Sequence, residues 1–185
     1  MAEPTDSELV LGLRAADGAA FDALYARYRP ALFSFLVRLT GRRWLAEDLL
    51  QETWLRLARN AVELPPDTAL RPWLFTVARN VFVSYRRWAV LDADRLRELG
   101  LWPGQRSETP FELAAATETE RALEAGLAAL PVTQREVLLL CAVERMEPSE
   151  AAKVLGLEPE AVRKRLSRAR GMLAEHLARQ ERTRS

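Results

Sequence analysis

Apolar side chains recur at every third or fourth position through most of the chain, which is the spacing of one face of an α-helix. In the first half this pattern predicts four helices, separated by Gly, Pro and polar breaks, over 3–13, 21–39, 45–59 and 73–88. Pro30 should bend the second helix or mark a junction in it, because proline cannot donate the backbone hydrogen bond of a helix interior. No stretch has the alternation of a strand, so the pattern predicts an all-α protein.

The second half predicts four more helices, over 119–130, 134–145, 147–157 and 158–173. Thr133 and Glu136 have the spacing of a capping box at the start of the second of these. Gly156 allows a tight turn between the last two helices. Two short helices joined by a Gly-containing turn predict a helix-turn-helix.

Between the two halves lies a stretch rich in proline, glycine and acidic residues. Residues 89–118 hold 3 basic and 6 acidic side chains, whereas 1–88 and 119–185 each hold 12 and 10. This composition is typical of a linker, with room for a short helix over 95–101. The sequence therefore predicts two small helical domains, 1–88 and 119–185, joined by an acidic flexible linker.

The scarcity of reactive side chains argues against an enzyme. Cys141 and His176 are the only cysteine and histidine, so a disulfide within the chain, a Cys-based or His-based metal site and a His-based triad all lack material. We expect no metal, no cofactor and no catalytic residue, and we expect Cys141 to be a buried small hydrophobe. No apolar run approaches membrane-spanning length, which predicts a cytoplasmic protein.

The net charge is only +1, so any DNA contact must come from a local patch. The second helix of the helix-turn-helix carries such a patch near its start. Arg and Lys there can reach guanine acceptors or phosphates in the major groove, although a solvated basic face is the competing interpretation. The Gly-containing turn and the preceding helix favour DNA binding over a solvated face. The candidate contacts are Arg163, Lys164, Arg165, Ser167, Arg168 and Arg170.

Two helices of the first half carry further candidate surfaces. A polar stripe beside an exposed leucine on 45–59 suits a protein interface, and an ordinary solvated face explains it equally well. On 73–88, aromatics interleaved with Arg and Asn are typical of single-stranded DNA binding, although Trp73, Phe75 and Trp88 are expected in the core. The stripe consists of Asp48, Gln51, Glu52 and Arg56, flanked by Leu55.

Several of these stretches resemble the extracytoplasmic-function (ECF) group of bacterial sigma-70 family sigma factors. AEDLLQETWLR at 46–56 and PWLFTVARN at 72–80 resemble region 2, and 130–137 with 163–173 resembles region 4. The resemblance implies a dissociable subunit that directs core RNA polymerase to promoters. Region 2 would read and help melt the minus-ten element, and region 4 would read the minus-thirty-five element as duplex. The alternative is a helix-turn-helix regulator with a helical sensor domain, which needs neither polymerase nor the stripe.

The resemblance also implies roles for individual residues. The stripe and Leu55 would dock on the clamp helices of the largest polymerase subunit, with the flap region as a second polymerase contact. The loop 60–70 would capture an unstacked base of the non-template strand. In region 4, Arg163, Lys164 and Ser167 would contact bases. Phosphates would be contacted by Arg165, Arg168 and Arg170. The minus-ten set is Asn60, Arg79, Asn80, Ser84, Arg86 and Arg87.

Some positions depart from the family pattern. Glu147 and Glu158 stand where a Ser cap is usual, and Glu160 brings a carboxylate that would repel phosphates near the recognition helix. Ala151 replaces a larger aliphatic residue, and Lys164 replaces a small Ser, which would shift the preferred upstream sequence. The resemblance implies that the linker runs through polymerase channels. It also implies an anti-sigma factor that covers both DNA-binding faces.

Overall fold

The computed structural model describes residues 3–98 and 117–184, and every regular element in these two ranges is helical. A 3-10 turn, Ala61–Glu63, follows the third helix, and a π-helical turn, Leu139–Val143, continues the sixth. The all-α prediction is confirmed. The helices are α1 (Asp6–Arg14), α2 (Gly18–Thr40), α3 (Arg43–Asn60), α4 (Leu70–Glu98), α5 (Glu118–Ala129), α6 (Val132–Leu138), α7 (Pro148–Leu155) and α8 (Pro159–Arg184).

Two helices of the first half differ from the sequence prediction. Helix α2 runs through Pro30 as one element, so Pro30 marks no junction. Buried side chains before and after the proline, such as Tyr28 and Leu32, keep both parts on the same core. Helix α4 continues to Glu98, so the start of the predicted linker, 89–98, is helical. Most of the linker and the end of the predicted helix over 95–101 lie outside the described residues.

The predicted capping box at the start of α6 is wrong. The helix begins at Val132, two residues earlier than a Thr133 cap would require, and it has no side-chain cap. The Thr133 hydroxyl instead contacts the side chain of Gln134 at 2.5 Å. The Glu136 carboxylate accepts a hydrogen bond from Arg79 Nε at 3.1 Å instead of binding the start of its own helix. A tertiary ion pair therefore replaces the local hydrogen bond that the sequence spacing suggested.

Helices α1 to α4 pack around one apolar core. Leu24, Leu57 and Leu74 are completely buried, and the rings of Phe35 and Phe75 meet edge to face with centroids 5.2 Å apart. Each such side chain contributes about 1.5–3 kcal/mol when fully buried. The core fixes α3 and α4 side by side, and their outward faces carry the candidate surfaces of this half.

Helices α5 to α8 form the second packed unit. Gly156 ends α7 with φ +66°, a left-handed conformation that strains other residues, and the chain turns directly into α8. At Gly126 an added Cβ would lie 2.6 Å from Leu173 Cδ1, so the Leu173 side chain would have to move to admit a larger residue. Cys141 is half-buried rather than fully buried, and its burial raises the pKa of the thiol.

The two units pack against each other. Helix α7 lies against α4, and α2 contacts both α5 and α6. The predicted two-unit arrangement did not include this contact. The contact joins α7, the first helix of the helix-turn-helix, to α4, which carries most of the minus-ten candidates.

Candidate nucleic-acid and protein interfaces

Helix α3 presents the predicted stripe to solvent. Its inward residues, including Leu49 and Trp54, are buried, while Asp48 and Gln51 are exposed and Leu55 is 48% exposed. The predicted exposure of Leu55 is confirmed. Glu52 and Arg56 form an i,i+4 ion pair of 2.8 Å on the same face. A half-exposed pair of this kind adds little to folding stability, about 0–1 kcal/mol, so both side chains remain available to a partner.

A depression of about 520 Å³ adjoins the stripe. Its floor is aromatic: the ring centroid of Trp54 lies 4.9 Å from that of Tyr25 and 6.1 Å from that of Phe21. The helical pattern assigned Phe21 and Tyr25 to the inward face of α2, and Tyr25 is nevertheless partly exposed. The surface beside Asp48 and Leu55 therefore combines carboxylates with exposed aromatic area. The pattern of α3 alone did not predict the aromatic part, because Phe21 and Tyr25 lie on α2.

The minus-ten candidates on α4 fall into two groups. Asn80, Arg86 and Arg87 are exposed, and Ser84 is half-exposed. Arg79 is only 23% exposed, because its guanidinium pairs with Glu136 of α6. The structure therefore places Arg79 in the contact between the two units rather than on open surface.

The core prediction holds for Phe75 and Trp73 and fails for Trp88. Phe75 is completely buried and Trp73 packs partly against the core, but Trp88 is 63% exposed. Residues 86–90 are all exposed, because α4 continues past the part that packs against the other helices. An indole beside Arg87 is a candidate for stacking on a base, and the sequence pattern did not distinguish it from a core residue.

The segment after α3 is more ordered than the predicted loop. The side-chain amide of Asn60 donates to the Arg56 carbonyl at 2.7 Å, and a 3-10 turn follows. Leu64 is buried, and the guanidinium of Arg14 in α1 donates to its carbonyl oxygen. Arg14 was not among the sequence candidates, because no local pattern links α1 to this segment.

Helix α8 exposes the basic patch of the helix-turn-helix. Val162 and Ala169 are completely buried and fix its orientation. Glu160, one turn earlier, accepts a hydrogen bond from Arg163 at 3.0 Å and lies 3.8 Å from the Lys164 ammonium. Arg165 is half-buried, and the remaining candidates are exposed, namely Arg163, Lys164, Ser167, Arg168 and Arg170.

The start of α7 shows how the chain replaces the expected serine cap. The Glu150 carboxylate accepts a hydrogen bond from the Glu147 backbone N–H at 3.2 Å. Pro148 occupies the first helical position, where its missing N–H costs nothing. Ala151 is completely buried in this helix. A Glu at the cap position is therefore compatible with an ordinary helix start.

The chain matches two family models, sigma-70 region 2 over residues 24–89 and sigma-70 region 4 over residues 120–173. Together these cover more than half of its length. The chain belongs to the sigma-70 family. The first match lies within α2–α4 and the second within α5–α8. The packed units α1–α4 and α5–α8 are called region 2 and region 4 below.

Relatives place this sigma factor in the ECF group. It is 35% identical over 150 residues to the ECF sigma factor EcfG of Rhodopseudomonas palustris, with 78% of each chain covered. It is 31% identical over 181 residues to the sigma factor CnrH of Cupriavidus metallidurans, with 92% of this chain and 94% of the relative covered. ECF SigM of Mycobacterium tuberculosis is 32% identical over 95% of this chain.

Two solved structures share the arrangement. CnrH in complex with the cytosolic domain of CnrY gives a TM-score of 0.69 at 27% identity, covering 94% of this chain and 97% of the other. RpoE of Bartonella quintana in complex with the anti-sigma factor NepR gives 0.74 at 26% identity, covering 85% and 96%. The sigma factor assignment is thus supported by family, relatives and fold, and a stand-alone helix-turn-helix regulator is not favoured.

Within residues 3–98 and 117–184, no helix combines the length and the apolar character that crossing a bilayer requires. The same part of the chain holds no group of three or more His, Cys, Asp or Glu side chains placed to bind a metal.

Proposed function

We propose that the α3 stripe docks this sigma factor on the clamp helices of the largest polymerase subunit. The observation that carries the proposal is the exposure of Leu55 between Asp48 and Glu52, next to the aromatic floor of the depression. A large exposed apolar side chain beside acids is poorly suited to water and well suited to a basic, partly apolar partner. The flap region of polymerase is the expected second contact, through region 4.

Region 2 then opens the minus-ten element by binding energy. The exposed arginines on α4 and the amide of Asn80 would hold the backbone of the unpaired strand. The segment 60–70, anchored by Arg14, would receive an unstacked base. Unstacking costs a few kcal/mol, which stacking and hydrogen bonding in the receiving segment offset. Trp88 joins this surface as a stacking candidate.

Region 4 reads the duplex upstream. Arg163, Lys164 and Ser167 lie near the start of α8, the part of a recognition helix that contacts base edges. Arg165, Arg168 and Arg170 would contact phosphates, which fix the register without reading sequence. Glu160 already pairs with Arg163 and Lys164, so both must exchange an intramolecular partner for DNA.

The chain itself carries out no chemical step in this proposal, because phosphodiester synthesis belongs to the polymerase. An anti-sigma factor is the expected inhibitor. One structural neighbour, RpoE, was solved with the anti-sigma factor NepR, and the other, CnrH, with the cytosolic domain of CnrY. Action on polymerase and DNA places the protein in the cytoplasm.

In vitro transcription tests the proposal. The purified chain is added to core polymerase on genomic fragments, and run-off products are mapped. We expect discrete start sites that depend on the chain. Tight duplex binding by the chain alone, together with no start site on any fragment, would contradict the proposal and favour a stand-alone regulator.

A further inference from the structure

We infer that α1 belongs to the base-receiving site, with Arg14 as the positioning residue that holds segment 60–70 in the conformation that accepts an unstacked base. This role rests on the base-receiving function proposed for that segment, and it adds a second element to the site. The family match to region 2 begins at residue 24, whereas α1 ends at Arg14. The match therefore gives α1 no role, and the contacts of the helix supply one.

One carbonyl of the segment takes its hydrogen-bond donor from outside the segment. Leu64 has φ −59° and ψ 130°, an extended conformation that proline favours in the residue before it. The turn that follows is closed at the Pro65 carbonyl, which accepts from the Thr68 backbone N–H at 3.0 Å and from the Thr68 hydroxyl at 2.7 Å. Pro65 and Pro66 have no N–H to donate. The Leu64 carbonyl is bonded instead by the guanidinium of Arg14.

The segment is fixed at two points and open between them. Leu64 and Leu70 are buried, while residues 65–67 are exposed, and Val62 on the 3-10 turn is 60% exposed. Exposed proline and valine side chains offer apolar area on which the face of a base can stack. The bond from Arg14 lies where the chain leaves the core. It therefore sets the direction in which the exposed part of the segment projects.

Helix α1 holds Arg14 in place. Its side chains Leu9, Val10 and Leu13 are buried, and the helix packs against both α2 and the 3-10 turn. Arg14 stands in the last turn, where the partial negative charge of a helix C-terminus favours a cation. A hydrogen bond from a charged donor is stronger than one between neutral groups. This bond ties the segment to a helix 50 residues earlier in the chain.

A contact with a DNA phosphate is the competing role for Arg14, because its side chain is exposed. The two roles differ in one measurable respect. A phosphate contact adds affinity whether or not a base is present, since it carries no sequence information. A positioning residue adds affinity only when there is a base to receive. The bond from Arg14 to a carbonyl of the segment itself favours positioning.

Strand binding by the holoenzyme tests the inference. Fluorescence anisotropy is measured with a non-template oligonucleotide from a promoter mapped in the transcription assay, and with copies that each carry one abasic position in the minus-ten stretch. The copy that the wild type binds most weakly marks the received base. If Arg14→Ala leaves the receiving conformation populated one time in ten, affinity for the intact strand falls about tenfold. Affinity for the marked abasic strand should stay near the wild-type value.

Two further variants complete the binding experiment. Arg14→Lys keeps a charged donor at the end of α1 and should recover part of the preference for the intact strand. Arg121→Ala removes the same charge from an exposed position on α5, outside region 2, and is the matched control. An equal loss by Arg14→Ala on the intact and abasic strands would make Arg14 a phosphate contact and overturn the inference. Wild-type affinity of Arg14→Ala for both strands would also overturn it.

Hydrogen exchange of the free full chain measures positioning without DNA. In Arg14→Ala we expect faster exchange of the backbone N–H groups in segment 60–70, while those inside α3 and α4 keep their wild-type rates. Unchanged exchange in the segment would overturn the positioning role. If Arg14→Ala does not fold, Arg14→Met, which keeps the apolar stem and lacks the donor, carries the same expectations.

The two levels of proposal fail in different ways. Absence of any start site with the wild-type chain would count against the proposed function as a whole. Normal start sites, together with a wild-type preference of Arg14→Ala for the intact strand over the abasic one, would overturn the role of Arg14 alone.

Discussion

The carboxylate of Glu160 accepts a hydrogen bond of 3.0 Å from the guanidinium of Arg163, one turn further along the recognition helix. Lys164 lies 3.8 Å from the same carboxylate. Two of the three side chains proposed to read bases therefore share one acidic partner within the same helix. The pair is exposed, so it is weak and can exchange for DNA.

Replacing Glu160 by Gln should strengthen binding to minus-thirty-five duplex. The change frees Arg163 and Lys164 and removes a charge that repels phosphate. An exposed pair is worth up to about 1 kcal/mol, so the gain should reach roughly fivefold. Glu175→Gln, at an exposed carboxylate further along α8, is the matched control. Weaker binding by Glu160→Gln would mean that the carboxylate orients Arg163 rather than competing for it.

Arg163→Ala should relax sequence discrimination in the upstream element. A bidentate arginine–guanine contact is worth about 1–3 kcal/mol of discrimination, so the loss should fall on the preferred sequence and spare its variants. Competition binding against duplexes that differ at single positions measures this. An equal loss on every sequence would reassign Arg163 to a phosphate. Arg168→Ala, at a proposed phosphate contact, should give that uniform loss.

Charge reversal at Asp48 and Glu52 should weaken binding to core polymerase. Like charges brought together at an interface cost several kcal/mol, so the affinity should fall at least about tenfold. Duplex binding through region 4 should not change. Asp22→Arg combined with Glu175→Arg, at two exposed acids outside the stripe, makes the same change in net charge and is the control for core binding. Unaltered core affinity in the Asp48 and Glu52 variant would move the docking surface away from the stripe.

The stability contributed by Glu136 should depend on pH. Burial raises the pKa of its carboxyl, and Arg79, followed by Arg86 and Arg165, counters this only in part. When a carboxyl has a higher pKa in the folded chain than in the unfolded chain, its contribution to folding stability is fully present at a pH below the ordinary Glu pKa. That contribution is lost as the pH rises through the raised pKa of the folded chain. Ionisation in the buried site carries a desolvation cost that the ion pair does not fully offset.

Glu136→Gln isolates this effect, because a neutral amide does not titrate. Thermal unfolding of the variant and the wild type across a pH series should give similar stabilities at acidic pH. The variant should gain relative to the wild type as the pH rises through the raised pKa. A difference that stays constant across the series would show that Glu136 has no raised pKa in the folded chain. Glu175→Gln, at an exposed site, is the matched control.

Much of the fold follows from local pattern. Apolar spacing located the helices because burying one face of a helix is the main source of its stability in a protein. Helix ends were less predictable. Pro30 does not interrupt α2, since the core on both sides outweighs one missing hydrogen bond, and Thr133 does not cap α6, since Glu136 has a stronger partner in α4.

The candidate surfaces also include residues that the sequence predicted and residues that it did not. The outward direction of Asp48, Leu55 and the basic residues of α8 is fixed by the register of each helix, so the sequence alone determined it. Trp88 was misassigned, because periodicity gives a direction around a helix and cannot say where the neighbouring helices end. Arg14 was missed, because its contact with Leu64 joins residues distant in sequence.

The sequence by itself determined that this protein is an all-helical ECF sigma factor with a polar stripe and a basic recognition helix. Only the tertiary structure decided that Arg79 faces Glu136 and that Arg135 caps α2. Helix register depends on neighbours three and four residues away, whereas these contacts join residues more than 50 positions apart. Long-range pairs of this kind depend on how the helices pack against each other, and no local sequence pattern predicts them.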